Sequence, residues 1–193
     1  MSPVPAFEIG LWNAWIFMLY NVLTIPFFLR IAKRRGASSP ASALAAMSRT
    51  RKVIIYSSKI LYVPAVIYSV FLPLKLGTAW FYVGLPIALT GLITGTIVLV
   101  NWATAPPDEP VTRGLYRYSR HPMYLTGFMF LLGVSIATAS WVFILFTIFI
   151  TVVSLYSAGL EEAGCLEKYG DAYRKYMNST PRWIGIPKRR QSG

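Results

Sequence analysis

Charge is scarce in this sequence. Asp, Glu, Lys and Arg together make up 13% of 193 residues, about half the share of an ordinary soluble domain. Acidic residues are scarcest, seven against nineteen Lys and Arg. The single cysteine, Cys165, excludes an internal disulfide and a cysteine-rich metal site. The single histidine, His121, leaves no metal-ligand set of the usual kind. There is no Gly-rich phosphate loop, and no Ser-His-Asp set can be assembled. No basic stretch precedes the first apolar run, so that run reads as a retained span rather than a cleaved signal peptide.

What is present is apolar. Hydrophobic residues make up 55% of the chain and the mean hydropathy is +0.50. They come in runs of roughly 17 to 25, the length that crosses a bilayer core as helix. The expected fold is therefore all-α: one polytopic membrane bundle over residues 1–193 with about five transmembrane helices. The spans are expected at about Ile9–Leu29, Val53–Leu74, Ala79–Val100, Pro122–Ala139 and Trp141–Gly159, with a tight hairpin at Ala139-Ser140. Gly91-x-x-x-Gly95 in the third span reads as a close-packing pair. Glu161 to Met177 repeats apolar residues at spacings of three and four, as an interfacial amphipathic helix does.

The net charge of +12 does not point to nucleic acid. Seven Lys/Arg lie in 30–52, three in 113–120 and seven after 165, leaving only Lys59 and Lys75 elsewhere. Basic segments separated by two spans are the positive-inside pattern, which places the N-terminus outside and the C-terminus in the cytoplasm. The basic linker 30–52 then faces anionic lipid, with a short surface helix expected within it.

Chemistry concentrates in two polar clusters. The first is Gly114 to Tyr124, where His121 precedes Pro122 at a helix start and Tyr124 lies three residues on, on the same face. Free N–H groups at that helix end suit an anion. The second is Glu161-Glu162, just past the fifth span, where carboxylates oppose the helix dipole and need a cationic partner unless the helix continues. The hairpin returns Glu161 to the leaflet of His121. Carboxylate, imidazole, tyrosines and helix N–H groups together suit a zwitterionic ligand with an aromatic ring.

The combined pattern is specific. Gly114-x-Tyr116-x-x-x-Arg120-His121-Pro122-x-Tyr124, then Glu161-Glu162, then Tyr169-Gly170-x-x-Tyr173-x-x-Tyr176, resembles the integral-membrane methyltransferases. These include the isoprenylcysteine carboxyl methyltransferases and the phospholipid N-methyltransferases. The resemblance covers about residues 100–187, which would form the cofactor-binding half, and leaves the acceptor side of residues 1–100 unassigned. It implies S-adenosyl-L-methionine bound in a cytoplasmic-side pocket of the C-terminal half, and a lipophilic or lipid acceptor arriving from the membrane. Carried over by position, it implies cofactor contacts at Asn101, Val111 (with the loop from Asp108), Tyr116, His121, Pro122, Met123, Tyr124 and Glu161. Ser157 stands where the carboxyl methyltransferases carry a substrate-facing arginine, which favours an amine, thiol or other acceptor over a prenylcysteine carboxylate. Glu162 joins Ser157 as a substrate-facing position. No residue is assigned as a general base, because displacement at a sulfonium needs alignment more than proton transfer. Two alternatives share the architecture: an NADPH-dependent membrane reductase of the sterol or steroid kind, and a non-catalytic membrane binding protein.

Overall fold

The computed structural model describes residues 8–34, 49, 53, 60 and 62–186. The expected surface helix within 30–52, most of the second span and the basic tail from residue 187 lie outside the described residues. The described chain is all-helical: α1 (Trp15–Arg34), α2 (Tyr62–Ser69), α3 (Ala79–Ala103), α4 (Pro122–Ala137), α5 (Trp141–Tyr169) and α6 (Asp171–Ser179), with a short 3-10 turn at Gly114–Arg117. Among the described residues, α1, α3 and α5 are long and apolar enough to cross a membrane, and α4 is apolar but shorter at 16 residues. Their outward faces are apolar, with Leu23, Phe27, Ile93, Leu145 and Val152 exposed. A water-facing surface would not tolerate such a girdle.

Several boundaries move from the expected places. The first helix starts at Trp15 rather than Ile9. Asn13 is held by tertiary bonds instead: it pairs with Pro73 and its side-chain amide donates to Val70 C=O at 2.8 Å. The fifth helix does not stop at Gly159 but runs on through Glu161 and Glu162 to Tyr169. No breaker occurs before Gly170, whose φ of 53° turns the chain into α6. The amphipathic stretch is thus split between two helices, and α6 buries Tyr173 and Tyr176 while Arg174 and Lys175 face outward. At 29 residues, α5 is roughly 44 Å long, so it outreaches a bilayer core of about 30 Å and its polar last third projects beyond.

The α3–α4 pair is the backbone of the bundle. Gly84, Ala88 and Gly91 form one buried stripe on α3. A Cβ at Gly84 would overlap the backbone of Gly133 and Ala137, and one at Gly91 the backbone of Phe130. Gly133 on α4 presses back on Ala88 in the same way. Dispersion across such close backbones is the main adhesive available between helices in lipid. Gly95 behaves differently. A Cβ there would meet Thr126 only at 3.5 Å, so the seam opens one turn past Gly91.

Backbone hydrogen bonds gather one end of the bundle. Ala14 N–H donates to Leu72 C=O at 2.9 Å, Leu74 N–H to Trp12 C=O at 3.0 Å and Lys75 N–H to Ala137 C=O at 3.0 Å. The α4–α5 hairpin turns at this end, with Ser140 capping α5 through a bond from Phe143 N–H. The opposite end therefore collects the C-termini of α1, α3 and α5, the N-terminus of α4, and all of α6. Arg30, Lys33, Arg34, Arg113, Arg117, Arg120, Lys168, Arg174, Lys175 and Arg182 lie there, against Lys75 alone at the first end among the described residues.

Candidate functional site

The polar site forms at the basic end because α4 and α5 are antiparallel. His121 caps α4 with extended φ of −125°, and Pro122 takes the first helical position, where its missing N–H costs nothing. The His121 backbone N–H is satisfied by Ser119 Oγ at 3.1 Å. This fixes the imidazole in a buried slot, stacked on Tyr124 (centroids 5.6 Å apart, 16° between planes) and flanked by Trp183 at 5.7 Å.

The carboxylate that meets His121 belongs to Glu162. His121 Nε2 lies 3.1 Å from Glu162 Oε1, and because a carboxylate only accepts, that nitrogen is the donor of the pair. Arg182 grips the same carboxylate with two bonds, Nη2 to Oε2 at 2.5 Å and Nε to Oε1 at 3.2 Å. Arg120 Nε stands 3.4 Å from Oε1. The side chain of Glu162 is 3% exposed and that of Arg120 10%, whereas Arg182 is 46% exposed. Burial alone would push the Glu162 carboxyl up. The bonds from His121 and Arg182 and the charge of Arg120 outweigh it and hold the group down to about 2. The same bond to Glu162 raises the Arg182 guanidinium above its ordinary value.

Glu161 points elsewhere, since adjacent residues on a helix lie about 100° apart. It is half-buried, and its carboxylate hydrogen-bonds the side chain of Tyr124. The two glutamates thus divide the work: one is locked in a cluster of cations, the other is left with a phenol.

A strap closes the site. After α6 the chain doubles back, and Arg120 N–H donates to Pro181 C=O at 3.1 Å, Ser119 Oγ to Arg182 C=O at 3.2 Å and Gly185 N–H to Tyr118 C=O at 3.1 Å. Beneath it, Tyr176 OH donates to Tyr116 C=O at 2.7 Å. Burial pushes the phenols of Tyr116, Tyr173 and Tyr176 well above the usual tyrosine range, so all three stay protonated at neutral pH. Three buried donor atoms of the site have no hydrogen-bond partner among the described residues, Asn101 Nδ2 and Arg120 Nε and Nη1, of which Arg120 Nε still faces the Glu162 carboxylate as an ion pair. Asn101 abuts Gly114, whose φ of 61° no larger residue adopts easily and whose missing Cβ makes room for that amide.

The remaining expected positions fall as follows. Tyr116 and Pro122 are buried, Met123 and Val111 half-buried, and Asp108 and Glu109 exposed at the loop tip. Ser157 is fully buried and its hydroxyl is spent on Val153 C=O at 2.9 Å within its own helix. Arg120, Arg182 and Trp183 are cluster members beyond the site residues expected from the sequence. The sequence signals only that a carboxylate beyond a span needs a cation, and Lys168, Arg174 and Lys175 stand nearer along the chain than Arg182.

Comparison with known proteins agrees with this half of the chain. A family model described as phospholipid methyltransferase matches residues 74–172, just over half the chain, from the turn before α3 to the start of α6. No curated protein matches the chain.

Proposed function

The chain belongs to the phospholipid methyltransferase family, and from that premise we propose that it transfers a methyl group from S-adenosylmethionine to a lipophilic acceptor drawn from the bilayer, with the cofactor held at the basic, cytoplasmic end. The observation that carries this reading is one of complementarity. Among the described residues, Asn101 Nδ2 and Arg120 Nη1 are buried donors without hydrogen-bond partners, and Glu161 is a half-buried carboxylate bonded to a phenol. A ligand bearing both a carboxylate and an ammonium answers both needs, since an unpaired buried donor is costly until something accepts from it.

The residues divide the labour accordingly. Glu161 takes the ammonium group. Arg120 and the Met123 N–H in the first turn of α4 take the carboxylate. Tyr116, His121, Pro122, Met123 and Tyr124 form the wall against which the cofactor lies, with Asn101 and Val111 at its edges. Glu162 acts on these groups indirectly, since it orients His121 and Arg120 and anchors the strap through Arg182. Trp183 and the strap keep water out, which strengthens every charge interaction beneath them. When bound, S-adenosylmethionine supplies a methyl group on a sulfonium, open to displacement by a nucleophile. Ser157, buried and hydrogen-bonded to its own helix, offers no charge to an acceptor carboxylate, which favours an amine, thiol or hydroxyl acceptor.

Titration of the purified protein tests this reading. S-adenosylmethionine is expected to bind, with Glu161→Ala and His121→Ala each weakening it at least tenfold, the scale of one charge-assisted hydrogen bond. Saturable NADPH binding without S-adenosylmethionine binding would overturn it.

A further inference from the structure

Where the α3–α4 seam opens, a cavity of about 190 Å³ lies between α1, α2, α3 and α4. Its lining runs along α4 from Met123 to Phe130 and along α3 from Leu99 back to Gly91. At 1.5 Å per residue, the cavity follows the bundle axis for about 10–12 Å. Its near end is Met123, in the first turn of α4 beside His121. Its far end lies among the apolar turns of both helices. Ile25 on α1 lines the cavity and is itself 40% exposed, which puts a mouth on the lipid-facing side.

Two glycines make the room. Among the described residues, a Cβ at Gly127 meets nothing within 4 Å and one at Gly95 meets Thr126 only at 3.5 Å, in contrast to the packed Gly84 and Gly133. Ile25, Leu92, Leu99, Met123 and Phe130 supply carbon surface. The hydroxyls of the described lining are already bonded within the protein. Tyr20 pairs with Thr96 at 2.5 Å, Thr96 donates to Leu92 C=O at 2.7 Å, Tyr62 to Met18 Sδ at 3.4 Å and Thr126 to Pro122 C=O at 3.0 Å. Hydrocarbon can lie against such groups without stranding a donor. An apolar cavity of roughly 150 Å³ accommodates the six carbons of benzene, so this one holds about eight. That is part of one lipid chain, and the long axis of the cavity runs as a chain runs in a leaflet.

Phospholipid is the acceptor class after which the family is named. Resting on the methyltransferase reading above, we propose that the cavity seats the head-proximal stretch of one acyl chain of a phospholipid acceptor, and that Gly127 sets which chains fit. The ester and headgroup then lie beyond Met123, on the side of the cofactor wall, and the second chain stays in the bilayer. Chain binding is thereby spent on alignment, since a seated chain fixes how far the head reaches towards the methyl group.

The test uses the full chain in lipid nanodiscs. An amino-headed phospholipid carries a diazirine either near the head, within the stretch that the cavity would hold, or at the far end of the same chain. In wild type, the near probe is expected to label the α3 and α4 peptides containing Gly95 and Gly127 about tenfold more than the far probe. Equal labelling by the two probes overturns the proposal without recourse to any variant. Gly127→Leu, which fills the cavity, is expected to cut near-probe labelling about tenfold, and to lower kcat/KM for the long-chain phospholipid by a similar factor. S-adenosylmethionine affinity, and transfer to the chainless water-soluble headgroup analogue, should stay as in wild type. Gly127→Ala, a far smaller addition, is expected to behave as wild type and controls for folding. Unchanged near-probe labelling in Gly127→Leu, or an equal loss of transfer for both acceptors, overturns the role of Gly127. Absence of cofactor binding and of transfer in wild type would instead sink the methyltransferase reading and the acceptor role with it. The two-probe contrast decides the chain seat by itself.

Discussion

Glu162→Gln keeps the shape of the side chain and removes the charge that three cationic or donor groups share. The strap should loosen as a result. Arg182 is 46% exposed, so its share is screened by solvent and is worth under about 1 kcal/mol. His121 and Arg120 are at most 10% exposed at the side chain, and their share is not screened in that way. A carboxyl held at about 2 instead of 4.5 corresponds to on the order of 3 kcal/mol of preferential stabilisation of the charged form. Breaking a buried pair costs about the same, 3–5 kcal/mol. Gln recovers part of this through its amide oxygen, so the expected loss is about 2–3 kcal/mol in the free energy of opening the whole clasp, in which His121, Arg120 and the strap come away from Glu162 together. The amides to watch are Arg120, bonded to Pro181, and Gly185, bonded to Tyr118. Their hydrogen exchange, corrected for intrinsic rate, should accelerate roughly 30- to 150-fold. The pH dependence gives the sign. Because the folded-state value is lowered, the stabilisation is complete above about 4.5 and is lost as pH falls towards 2. Wild-type protection at these amides should decline across that window, and the Gln variant should be flat. Equal protection in the two proteins at pH 7, or a wild type flat between pH 4.5 and 2, would refute the electrostatic account of the clasp.

Three further substitutions test the close approaches at glycine. Gly84→Leu forces α3 away from the backbone of Gly133 and Ala137. Folded yield in detergent should collapse, with a cost of more than about 3 kcal/mol, while Gly95→Ala, which meets only ordinary contact, should melt within a degree or two of wild type. Gly114→Ala combines a φ of 61° with overlap of the Asn101 amide. It should destabilise the protein by about 1–3 kcal/mol, read as a lowered thermal midpoint, and should weaken S-adenosylmethionine binding as well if Asn101 borders the cofactor.

Much of this architecture is written in local pattern. Apolar runs announced the helices, Pro122 the start of α4, and the chargeless Ala139-Ser140 the hairpin, where Ala139 indeed takes a φ of 50°. The motif named the family whose model matches residues 74–172. What local pattern does not carry is phase and distance. Whether Glu161 or Glu162 faces His121 depends on the rotation of α5, and an unbroken helix through Gly159 sets that rotation differently from one that stops there. The late start of α1 reflects tertiary bonds of Asn13 to residues 57 and more positions away. Arg182 is 61 residues from His121, and nothing near it signals a buried carboxylate. The cavity between α1, α2, α3 and α4 depends on how α1 and α2 are placed against the α3–α4 pair, which apolar composition leaves open. Gly91-x-x-x-Gly95 shows the limit within one motif, since its first glycine packs against α4 and its second borders empty space.

The strap also imposes an order on biosynthesis. Among the described residues, every apolar span, and every charged group around Glu162 except one, precedes residue 163. The guanidinium that binds Glu162 most closely is twenty residues further on, at Arg182. At translation rates of about 5–20 residues per second, roughly one to four seconds separate the two. During that interval the inserted chain carries an acidic group at the bilayer edge, facing His121 and Arg120 but not yet covered. Ribosomal pausing or truncation between the two residues would leave a fully threaded helical bundle with an open polar end, a form that membrane quality control could recognise before any helix had misfolded.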